Sequence, residues 1–234
     1  MAKKAATTHM NSAEQLAGTI FFVVYLLVLP LLTDRLFLLA EVLFNARMDG
    51  DGRNLLYYYM LTGVTLLIFH SFLAGTTKRF FDNLNRAFTS LFLGLLVFYG
   101  ANELVCRASR LLLGSGQSLN DTVIAAQVAS APRTTALIIV FLAPFVEETL
   151  FRGLVFGCFK EKSRVVAYAA SSLLFAFLYA WTFAVSARDP RNFIQLVRYL
   201  VPGLVFAWAF DRSGTLWTSV LLHAAVNALA LWTA

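Results

Sequence analysis

Charge is what this chain has least of. Of its 234 residues only 14% are Asp, Glu, Lys or Arg, while 59% are hydrophobic. A soluble domain needs more charge than this to cover its surface. No long polar stretch marks a separate soluble domain. Cysteine is limited to Cys106 and Cys158, far apart and in no CxxC pattern. A structural zinc site is therefore not indicated, and both read as small packing residues. Histidine occurs three times, at His9, His70 and His223. No internal repeat is visible, so sequence symmetry gives no support to an inverted-repeat transporter. No clear small-x-small site follows the first apolar run, which reads as an uncleaved span. The net charge of +6 comes from basic residues scattered through loops. That points to lipid headgroups and topology, not to nucleic acid.

What is present is a succession of apolar runs. Runs at 16–32, 54–74, 87–105, 134–159, 165–185, 193–210 and 214–232 are long enough to cross a bilayer. A further run at 36–44 is too short to cross alone, and reads as interfacial, re-entrant or part of a broken span. The expectation is an all-α, multi-pass transmembrane helical bundle of seven to eight spans. It comprises a loose polar segment at 1–15 and one transmembrane domain at 16–234. Asp49-Gly50-Asp51-Gly52 reads as a turn; the other ligand positions of a calcium loop are missing. Lys78-Arg79-Phe-Phe-Asp82 reads as an interface loop. Val123–Val128, inside the longest polar stretch, reads as a short surface helix. Basic loop residues divide almost evenly between the two sides, so they assign no orientation.

Inside the spans a few polar residues stand out. Glu147 and Glu148 are adjacent in the fourth long run, and Arg152 follows four residues after the second. Each charge near a bilayer centre costs about 2.5–3.5 kcal/mol on insertion scales, so such residues tend to serve a task. Residues four apart share a helical face, so Glu148 and Arg152 can pair. Glu147 is turned about 100° away and has no partner in its own helix. It is the carboxylate free to act as a general base on water. A structural reading stands beside this one, in which Glu147 caps a buried water or pairs with Arg107, Arg133 or Arg198. Pro144 can kink the helix and free a carbonyl. Gly153 and Gly157 allow a close neighbour. In the last span His223 and Asn227 share a face. They are either polar contacts between helices or partners of the glutamates. In the second reading His223 orients a water beside Glu147 and Asn227 holds a scissile carbonyl oxygen.

Glu147-Glu148-x-x-x-Arg152, followed by His223-x-x-x-Asn227, resembles the CPBP family. This is the CAAX-prenyl-protease and bacteriocin-processing (Abi) group of intramembrane proteases. The resemblance covers about 134–232. Each motif is weak alone; both in this order, centred in apolar helices, are more specific. The family's middle motif, Phe-x-x-x-His, corresponds to Phe175-x-x-x-Tyr179, with tyrosine where the family has histidine. Members use a glutamate and histidines to activate water, and have been described both as metalloproteases and as metal-independent. Here Glu147 and His223 would be the ligands of any divalent metal such as zinc. A catalytic zinc wants three protein ligands, and tyrosine is a poor one, so metal is disfavoured.

The resemblance implies an intramembrane endopeptidase with Glu147, Glu148, Arg152, Tyr179, His223 and Asn227 at its site. Its expected partners are the lipid bilayer and a membrane-associated protein or peptide. Its expected place is an integral one in a plasma (inner) membrane. An inactive scaffold of the same fold is the alternative, motivated by Tyr179. A proton-coupled transporter is a third reading, for which the early spans supply few polar residues.

Overall fold

Asn11 starts the first helix. In the computed structural model, which describes residues 10–113, 126–187 and 196–233, its side chain accepts the Glu14 N–H at 2.9 Å. Glu14 in turn accepts the Asn11 N–H at 3.0 Å. This reciprocal cap satisfies two of the donors that a helix start leaves open. The other Glu14 oxygen accepts the Phe72 N–H at 2.9 Å, in a buried position. Residues 10–15 are thus built into the fold and are not loose, a correction that composition could not anticipate.

Helix α1 runs from Ser12 to Phe44, 33 residues without a break. A π-helical turn over Val24–Val28 precedes Pro30 and carries the helix past it. The 36–44 run is therefore the second half of one long helix. Asn45, in the left-handed region at φ 49°, ends it. Glu41 then holds Arg53 at 2.8 Å and the Met48 N–H at 2.9 Å. Asp49 caps α2 (Gly50–Ile68) by accepting the Gly52 N–H at 2.8 Å. The Asp-Gly-Asp-Gly run is a helix start.

Helix α2 stops at Phe69, and α3 (His70–Asp82) leaves at 85° to it. The Phe69 ring is fully buried against Gly18 of α1, where a Cβ would lie 2.6 Å from it. The 54–74 run is thus a broken span or re-entrant pair. Lys78–Asp82, expected as a loop, is the end of α3. The rest is α4 (Leu84–Leu113), α5 (Pro132–Lys160), α6 (Arg164–Ala187), α7 (Leu196–Ser213) and α8 (Leu216–Thr233). Residues 126–130 are helical; the start of the surface helix expected at 123–128 lies outside the described residues.

Helix α5 is the axis of the bundle, packed against α1, α2, α6, α7 and α8. Of its apolar window 56% is buried, against 17% for α4. On α4, Phe92, Leu96 and Leu104 point outward, as expected of a lipid-facing wall. Among the described residues there are helices and turns but no strand. The chain is an all-α, integral membrane bundle. Length and composition qualify α1, α4, α5 and α6 as spans, and a fifth if α2 and α3 count as one. Helix α7 carries Arg198, Asp211 and Arg212 within its 18 residues, and α8 is short. The expected seven to eight spans are not reached on these criteria.

Candidate functional site

The site is built on a change of helical register. Helix α5 is π-helical over Leu137–Leu142, α-helical over Ala143–Glu148, and π-helical again over Thr149–Phe156. Wide π turns are rare and occur often at functional positions. The two glutamates end the α-helical turn between them.

Glu148 is fully buried. Its Oε1 lies 3.1 Å from Arg152 Nη1 and 2.9 Å from His223 Nδ1. Arg152, also fully buried, donates from Nη2 to Gly203 O at 3.1 Å. Its guanidinium carbon sits 4.4 Å from the centre of the Phe175 ring and 5.4 Å from that of Phe206. These distances fall within cation–π range. The His223 ring stacks on Phe206 at 4.6 Å. A cation between aromatic faces, tied to a carboxylate, offsets much of what burying either charge alone would cost.

Glu147 faces a different neighbourhood. The Tyr179 hydroxyl donates to it, at 2.9 Å from Oε2 and 3.1 Å from Oε1. Tyr179 is held by a parallel stack on Tyr199 with ring centres 4.5 Å apart. Glu147 and Tyr179 lie on the wall of a cavity of about 400 Å³. Tyr25, Asp34, Asp51, Tyr57, Tyr58 and Asn227 also line it. The arrangement can hold a carboxylate in one orientation beside space for a small substrate segment and water.

The fourth long run thus divides its two carboxylates as helical spacing suggests, one ion-paired and one facing the cavity. His223, expected beside Glu147, has its Nδ1 on Glu148. Asn227, expected to meet a substrate carbonyl, donates to Ile139 O at 2.8 Å. The arginines weighed as structural partners of Glu147 include two bound elsewhere. Arg107 pairs with Glu103 at 2.6 Å, and Arg198 contacts Cys106 Sγ at 3.6 Å. Of the two glycines, Gly153 meets Met10 and Phe72 closely, but Gly157 faces nearly open space. The tyrosine wall escaped the sequence reading. The Tyr57-Tyr58-Tyr59 run was the available signal. His70 hydrogen-bonds locally to Leu67 O.

A divalent metal does not fit these residues. Glu147 is engaged by Tyr179 and His223 Nδ1 by Glu148. Among the described residues no group of three or more His, Cys, Asp or Glu is placed to hold a metal ion. A catalytic zinc needs three protein ligands, so no step is derived through one.

Residues 129–229 match the family model described as "Type II CAAX prenyl endopeptidase Rce1-like". An Escherichia coli protein named "Uncharacterized 24.3 kDa protein" is 34% identical over 97 residues, 42% of each chain. A Bacillus subtilis (strain 168) protein named "Putative membrane peptidase YdiL" is 23% identical over 121 residues, 51% of this chain and 45% of that one. The chain thus spans less than half the length of the curated relatives it matches. No solved structure matches it. Over residues 129–229, which hold Glu147, Glu148, Arg152, Tyr179, His223 and Asn227, the chain resembles the type II CAAX prenyl endopeptidases.

Proposed function

We propose that the protein is an intramembrane endopeptidase of the CAAX-protease type, hydrolysing a peptide bond in a membrane-associated protein or peptide. A plasma (inner) membrane is its proposed place. The observation that carries this is Glu147: a carboxylate on a cavity wall, oriented by the Tyr179 hydroxyl and separated in role from the ion-paired Glu148. Glu147 takes a proton from a water in the cavity as that water attacks the scissile carbonyl. It then returns the proton to the departing amine. Tyr179 keeps the carboxylate in one orientation. From α8, His223 secures Glu148 and Asn227 completes the site. The family likeness supports the peptidase class.

The test is cleavage of a membrane-associated peptide by the purified protein in detergent. Glu147→Gln is expected to lower cleavage at least about a hundredfold while the melting profile stays that of the wild type. Full activity in this variant rules out the proposed base. A second reading rests on Tyr179 standing where the family has histidine: an inactive partner-binding protein of the same fold. Its mark is a cellular phenotype that survives Glu147→Gln combined with His223→Ala.

A further inference from the structure

Pro144 removes a donor from the middle of α5, and Asn227 takes its place. In the π-helical stretch each N–H reaches back five residues, so the Ala143 N–H bonds Ile138 O. The next donor in that register is residue 144, and its acceptor is Ile139 O. Residue 144 is proline and has no N–H. Asn227 Nδ2 on α8 donates to Ile139 O at 2.8 Å. Without it, Ile139 O, part-buried on the cavity wall, has no donor from its own helix in that register and is left to whatever water reaches it. One turn earlier on α8, His223 Nδ1 holds Glu148 Oε1 at 2.9 Å. The two side chains therefore grip α5 before and after Glu147.

We infer that Asn227 is a positioning residue: it replaces the amide that Pro144 removes, and so sets where the Ala143–Glu148 turn presents Glu147 to the cavity. This rests on the reading of Glu147 as the base. It differs from a role in which Asn227 touches the scissile carbonyl. In that role Pro144 would be irrelevant to the effect of losing Asn227.

The experiment is a double-mutant cycle on the purified full chain: wild type, Asn227→Ala, Pro144→Ala and the pair. Two quantities are read in each, peptide cleavage (kcat and KM) and the thermal unfolding midpoint. Asn227→Ala is expected to lower kcat about tenfold or more with KM little changed. In the Pro144→Ala background a backbone N–H is restored for the Ile139 carbonyl. There the same change is expected to cost less than about threefold. An equal loss in both backgrounds overturns the proposal and assigns Asn227 to the substrate. If the wild type cleaves nothing, the base reading fails, and the midpoints decide the rest. A drop from Asn227→Ala that shrinks when Pro144 is Ala supports the donor exchange; equal drops overturn it. If Asn227→Ala alone does not fold, recovery of folding by Pro144→Ala supports it, and continued failure of the pair overturns it.

Discussion

Two neighbouring glutamates of identical chemistry have opposite surroundings here, and one turn angle separates them. Glu148 lies between Arg152 and His223 in a fully buried cluster. Glu147 faces the cavity and a tyrosine hydroxyl. The two positions therefore respond differently to substitution. Arg152→Ala leaves Glu148 without its arginine and also removes the side-chain donor to Gly203 O. Breaking a buried pair from one side costs about 3–5 kcal/mol, so unfolding in detergent should occur at clearly lower temperature or denaturant. Tyr179→Phe removes one hydrogen bond beside a cavity, where water can replace it. Its cost should stay near 1 kcal/mol, with the effect appearing in cleavage instead. A melting series over both variants checks the contrast; similar losses would refute it.

At the scale of elements, α5 owes its shape to two departures from regular α-helix, and its neighbours are fitted to it. Beside it, α6 and α7 approach each other closely at Gly203. A Cβ on Gly203 would lie 3.0 Å from Ser172 Cα and 3.1 Å from Ser172 O, which is backbone and cannot swing aside. Gly203→Val should push α6 from α7 and cost about 1–3 kcal/mol. It would also shift the carbonyl that Arg152 uses. Gly157→Ala is the control. The atom nearest its new Cβ, Arg152 O, would lie 3.9 Å away, so a helical alanine there should be neutral or gain about 0.5–1 kcal/mol. Thermal midpoints of the two variants, measured side by side, test this. Spacing alone singled out Gly153 and Gly157 as a pair, and only the packing separates them.

For the whole molecule, the question is how the first helices are fastened to the segment around the glutamates. Polar ties at α3 contribute to this. Glu14 accepts the Phe72 N–H from across the α2–α3 bend. Thr76 accepts the Leu216 N–H at 2.8 Å and Thr77 accepts the Trp217 indole N–H at 2.7 Å, binding α3 to the start of α8. Glu14→Ala should therefore act beyond its own helix. It opens the cap at Asn11 and leaves a buried N–H at the bend unsatisfied, at about 1–3 kcal/mol. Limited proteolysis should become faster near residues 69–72 as well as at the start of α1. Cleavage confined to the N-terminus would show that the tie has no structural weight.

Composition and periodicity determined the membrane bundle and its all-helical class, because low charge and long apolar runs leave few other solutions; the family likeness came from the motifs Glu147-Glu148-x-x-x-Arg152 and His223-x-x-x-Asn227. Helical spacing also determined the Glu148–Arg152 pair and the separation of Glu147, because both depend on residues within one turn. Tertiary structure decided the rest. Phe69 breaks a run that reads as one span, because Gly18 of another helix makes room for its ring. Residues 36–44 continue α1, because a π turn absorbs Pro30. His223 reaches Glu148 and Asn227 reaches Ile139 O, because α8 lies along a helix whose register changes on both sides of the glutamates. Those contacts join residues 75 and 88 positions apart, and no local pattern encodes which partner a side chain meets at that distance.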